Sequence, residues 1–165
     1  MTTLVVVSSK TGNTKLLAHG ICDAYENAEL VSASAVPADL SKYDAVLLGF
    51  WCDRGMAPED MQAAAAKISG KRMGCFATVG GDPQSEWAQQ WMTKTSTELA
   101  AKGSNTLEAT FLCRGRIDPA LFDLMTRMQG GVVTPQREAT RAASETHPDR
   151  LDVIAAVKAF AGLMA

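Results

Sequence analysis

Cysteine and histidine are scarce in this 165-residue chain, and neither is clustered. The four cysteines, Cys22, Cys52, Cys75 and Cys113, form no Cys-x-x-Cys pair, which argues against a zinc ribbon or a disulfide framework and for a reducing cytoplasm. Two histidines, His19 and His147, are too few for a histidine-based metal centre, and no metal site is expected. Excess charge is also missing: 16 Lys and Arg against 18 Asp and Glu leave a net charge of −2. With no basic run, nothing points to nucleic acid and no such partner is expected. No apolar stretch reaches the ~20 residues a membrane helix needs, and the first residues lack the basic region of a secretory signal. Neither a Walker loop nor a Gly-x-Gly-x-x-Gly dinucleotide fingerprint occurs.

What is present begins at Leu4-Val5-Val6-Val7, a short β-branched run that reads as a buried parallel strand. Leu17, Gly20, Ile21 and Ala24 then share one face of a helical pattern. Between them lies Ser9-Lys10-Thr11-Gly12-Asn13-Thr14, at a strand-to-helix junction. N–H groups at a helix start have no intrahelical partner, and the helix dipole favours negative charge there. Gly12 allows close backbone approach, while Ser9, Thr11, Asn13 and Thr14 each carry a side-chain donor. Capping alone would use one or two of these residues. Four around a glycine point to a phosphate cradle that needs no metal and no positive cluster.

The rest of the chain alternates. Strands are expected over Glu29–Ala35, Tyr43–Trp51, Met73–Thr78 and Thr106–Cys113. Helices are expected from Pro58 to Ile68, from Ser85 to Lys102 with Gly103 as a stop, and from Asp118-Pro119 through Leu121, Leu124, Met125 and Met128. Residues 130–150 are polar and read as a long, partly ordered loop; a last helix carries Val153, Val157, Phe160 and Met164 as a core stripe. Five strands separated by helices imply one domain over residues 1–165: an α/β fold with a three-layer, doubly wound, five-stranded parallel sheet. The short helix and polar loop near 118–150 are an insertion in it.

The Ser-x-Thr-Gly-Asn-Thr pattern resembles the phosphate loop of flavodoxins, and its place near the chain start is similar too. The resemblance implies strand order 2-1-3-4-5 and a loop, Ser9 to Thr14 with Lys10 and Gly12, that holds the 5′-phosphate of flavin mononucleotide (FMN). It also implies two further loops around the isoalloxazine ring. In this order the ligand crevice lies beyond the carboxyl ends of strands one and three. That places Trp51–Met56 and Thr78–Asp82 on the same rim. Trp51 ends a strand, so its indole can stack on a flat ring or pack under the next helix. Flavodoxins use a flexible peptide in this second loop, beside Cys52 and Asp53, whose carbonyl turns toward the ring on reduction. Gly55 or Cys52 would take that part. In the third loop, Thr78, Val79, Gly80, Gly81 and Asp82 combine a tight turn with close backbone approach, and the Gly-Asp pair resembles the flavodoxin loop after strand four.

One departure stands out. Ser85 occupies the place where many flavodoxins carry a stacking tyrosine, and the nearest aromatic is Trp87. One ring face is therefore expected to be more open. Trp87 and Trp91, four apart, share a helical face that serves either core packing or an exposed aromatic patch. Arg114 and Arg116 close the fifth strand at the crevice end and are expected to be solvated. The resemblance implies an FMN-binding protein that transfers electrons to or from a redox partner enzyme, with no general base or nucleophile assigned. Two other readings stay open: an NAD(P)H-dependent flavin or quinone reductase, and a flavodoxin fold without FMN acting as an interaction module.

Overall fold

The central strands are buried on both faces, and that burial organises the molecule. The structure, a computed structural model, describes residues 1–165. Five parallel strands, β1 (Thr3–Val7), β2 (Ala28–Ser32), β3 (Ala45–Trp51), β4 (Arg72–Val79) and β5 (Thr106–Arg114), form one sheet in the order β2-β1-β3-β4-β5. This is the order 2-1-3-4-5. Because side chains alternate along a strand, β1 sends Leu4 and Val6 to one face and Val5 and Val7 to the other. The first face packs on α2 (Glu59–Ala65) and α3 (Glu86–Ala101) through Met61, Ala64, Trp91 and Leu99. The second packs on α1 (Asn13–Asp23), α6 (Arg150–Ala159) and α7 (Ala161–Met164) through Leu17, Ile21, Phe160 and Leu163. No helix is long and apolar enough to cross a membrane.

Several boundaries differ from the sequence reading for physical reasons. The expected strand Glu29–Ala35 stops at Ser32, because β2 pairs only with β1 and the register ends at Val7 opposite Ser32. Residues Ala33–Ala35 instead form a 3₁₀ turn. The polar stretch 130–150 is not a loop throughout: it contains α5 (Pro135–Ser144), which follows α4 (Pro119–Met128). Thr134 caps α5 by accepting from the Arg137 N–H, and Pro135 sits at its first turn. The final helix breaks at Phe160, which is buried and meets Phe76 edge-on at 6.1 Å. Its expected stripe holds at three of four positions: Phe160 and Met164 are buried and Val153 packs on the core, while Val157 is outside the buried core and its carbonyl accepts from the Tyr25 hydroxyl.

Candidate functional site

The carboxyl ends of β1, β3, β4 and β5 open on one rim, around a cavity of about 280 Å³. From the first loop, Ser9, Lys10, Thr11, Asn13 and Thr14 line it. Gly12 stands behind them as the N-cap of α1, in the left-handed region at φ 98° with open space around its Cα. Its N–H donates to Ser9 Oγ at 3.2 Å, and Asn13 Nδ2 donates to Thr11 Oγ1 at 3.4 Å. No side chain caps α1, α2 or α7, whereas Ser85, Asp118, Thr134 and Asp149 cap α3, α4, α5 and α6. The first N–H groups of α1 therefore have no side-chain partner, and of the three uncapped helices only α1 starts on this cavity. Thr14 is buried, and its hydroxyl bonds Thr78 Oγ1 at 3.0 Å, tying α1 to the end of β4.

Trp51 and Cys52 line the cavity from the end of β3. The Trp51 ring is half-buried, and Lys10 Nζ lies over it, 5.6 Å from the centroid. The chain then reverses in a tight turn. Asp53 and Met56 exchange two backbone hydrogen bonds at 2.8 and 3.0 Å, with Arg54 at φ 51° and Gly55 at φ 78°. Asp53 and Gly55 therefore flank the cavity rather than line it. Burial pushes the Cys52 thiol above its ordinary value, against a smaller opposing hydrogen bond from Gly55. That is the setting of an unreactive thiol.

Thr78, Val79, Gly80 and Gly81 supply the third side. Asp82 lies outside it: its Oδ1 accepts from the Gln84 N–H at 2.9 Å, and Arg114 Nη2 stands 4.0 Å away. Ser85 is the N-cap of α3, accepting from Ala88 N–H. The tryptophan pair divides. Trp91 is buried against Phe50, while Trp87 stacks on it at 6.3 Å and remains 59% exposed.

The sequence reading missed a fourth side. Gly115, Arg116, Ile117 and Asp118 from the β5–α4 connection, with Leu121 and Met125 of α4, complete the lining. Asn13 Nδ2 donates to the Arg116 carbonyl at 2.9 Å, and Gly115 N–H donates to Val79 O at 2.8 Å. A Cβ on Gly115 would stand 2.8 Å from Asn13, so glycine permits this closeness. The signal was the Cys-Arg-Gly-Arg end of a strand that shares the rim. The charged lining groups are Lys10, Arg116 and Asp118, and Asp118 is engaged as the α4 cap.

The family model of the flavodoxin domain matches residues 4–161. This chain belongs to the flavodoxin domain family. Among similar proteins, the flavodoxin-like domain-containing protein BilS of Clostridioides difficile (strain CD3) is 27% identical over 166 aligned positions, spanning 93% of this chain and 90% of BilS. Oxidised flavodoxin 2 from Bacillus cereus aligns with a TM-score of 0.62 at 18% identity, over 98% of this chain and 99% of that one. A flavoprotein from Lactobacillus acidophilus NCFM, solved in complex with FMN, gives 0.51 at 17% identity, over 68% of this chain and 92% of its own. At these identities the solved structures share the flavodoxin fold with this chain. The rim described above is the switch point of that fold, where the strand order reverses between β1 and β3.

Proposed function

We propose that this flavodoxin domain binds FMN in the four-sided cavity and passes electrons to or from a redox partner protein. The observation that carries this reading is the uncapped start of α1, opening on the same cavity as Trp51 and the Gly80-Gly81 turn. An anion suits the first site, a flat aromatic ring suits the second, and close backbone approach suits the third. FMN carries all three features, and when bound it supplies a ring that takes up and releases one or two electrons.

The chain's own residues bind and orient. Backbone N–H groups of Thr11, Asn13 and Thr14, with the Ser9 and Thr11 hydroxyls, would hold the phosphate; the Thr14 hydroxyl is committed to Thr78 and fixes the loop beneath. Trp51 would offer its indole face to the ring, and the N–H groups of Gly80 and Gly81 would serve its polar edge. Gly55 stands at positive φ in an exposed turn beside the cavity, next to the Cys52 that lines it. Free thiols at all four cysteines support a cytoplasmic setting.

The test is a reduction experiment on the FMN-loaded protein. With NADPH or NADH alone the visible flavin band should bleach slowly; a flavoprotein reductase or a chemical reductant should bleach it quickly. With a net charge of −2, the reductase-driven rate should change little with added salt. Rapid stoichiometric reduction by NADPH with turnover on a quinone overturns the carrier reading in favour of a reductase. A colourless protein that ignores added FMN overturns flavin binding.

A further inference from the structure

We propose that α4, the helix inserted after β5, is a fourth wall of the flavin site, with Leu121 and Met125 in contact with the isoalloxazine ring. This rests on the FMN reading above. The two residues are one helical turn apart, so they form a single stripe, and both line the cavity that the phosphate loop and Trp51 open onto. They remain 42% and 44% exposed, which leaves apolar surface facing that space. A flat apolar ring is the occupant that would cover it, and the Met125 thioether suits an aromatic edge.

The helix is held there from both sides. On its inner face Phe122 and Thr126 are buried; Arg137 of α5 lies over the Phe122 ring at 4.8 Å and donates to Thr126 Oγ1 at 2.9 Å. At its entry, the Arg116 N–H donates to the His147 carbonyl at 2.8 Å and the Ile117 N–H to Ser144 Oγ at 3.1 Å. Ile117 sits where a Cβ on Gly80 would come within 2.7 Å, so the connection is seated on the third loop itself. Loop β4–α3 offers no aromatic side chain at Ser85, and α4 supplies apolar side chains to the cavity instead. Leu124 and Met128 on the same helix do not line the cavity, although they are 52% and 78% exposed. They serve as internal controls.

The experiment titrates FMN and riboflavin into the full chain and into Leu121→Ala, Met125→Ala, Met125→Gln and Leu124→Ala, with a thermal melt of each to show folding. Leu121→Ala and Met125→Ala should each weaken flavin binding about threefold to tenfold, from the apolar contact removed. The loss should be the same factor for FMN and riboflavin, because the contact is to the ring, and Met125→Gln should share it. Leu124→Ala should bind as the parent chain does. Unchanged affinity in folded Leu121→Ala and Met125→Ala, with the parent binding FMN, overturns the α4 wall and leaves the FMN reading standing. No FMN binding by the parent chain overturns both.

Discussion

Thr11 is exposed at the cavity mouth, and its hydroxyl accepts only a long hydrogen bond from Asn13, at 3.4 Å. It is free to turn toward an anion, whereas Thr14 beside it is buried and bonded to Thr78. The two threonines of one motif therefore separate by role. Thr11→Ala should leave thermal stability unchanged and weaken FMN about tenfold or more, since a hydrogen bond to a charged group contributes about 1.5–3 kcal/mol. Riboflavin, without the phosphate, should bind the parent chain far more weakly than FMN and should not distinguish Thr11→Ala from it. Fluorescence titration with both flavins reads this, and equal parent affinities for the two would remove the phosphate from the first loop.

At the scale of elements, α4 and α5 are joined to the sheet by few tertiary ties, and much of α5 faces solvent. Arg137 is the clasp between them, through the Phe122 ring and the Thr126 hydroxyl. A cation–π contact and a hydrogen bond from the charged guanidinium together contribute about 2–4 kcal/mol. Arg137→Ala should therefore speed amide exchange across residues 118–144 while the buried amides of β1, β3 and β4 keep their protection. Uniform loss of protection over the sheet would show instead that α4–α5 unfolds with the whole domain.

Across the whole molecule, two of the four thiols, Cys75 and Cys113, are buried, while Cys22 and Cys52 are half-buried. Burial pushes Cys75 up to about 12 from an ordinary 9.0 and Cys22 up to about 11, and it raises Cys113 as well. The sign follows from linkage. These groups bind their protons more tightly folded than unfolded, so their contribution is complete below pH ~9 and declines as pH rises toward the folded values. Urea midpoints should fall from pH 9 to pH 11, and Cys75→Ala should flatten that fall. At neutral pH a thiol reagent should react with the native protein only slowly, and rapidly after unfolding. A native protein that reacts at once, or a midpoint indifferent to alkali, would contradict the packing assigned to Cys22 and Cys75.

The sequence alone determined the sheet and the first loop. Runs such as Val46-Leu47-Leu48 admit burial on both faces, and strands alternating with helices imply a parallel sheet with right-handed crossovers; the order β2-β1-β3-β4-β5 came only with the resemblance of the first loop to flavodoxins. The hydroxyl-rich loop was legible because its residues are contiguous and its backbone geometry is local. Helix α5 was not, since it has almost no apolar face and is held by a Thr134 cap, Pro135 and the Glu138–Arg141 pair rather than by a stripe. Only the tertiary structure decided that Trp91 is buried while Trp87 stacks outside it, and that Asp53, Gly55 and Asp82 stand off the cavity that Arg116, Ile117, Leu121 and Met125 line. Those distinctions depend on residues more than 30 positions apart meeting at one rim, as Asn13 does with Arg116. Pattern and propensity act over a few residues and carry no information on which distant loop closes the site.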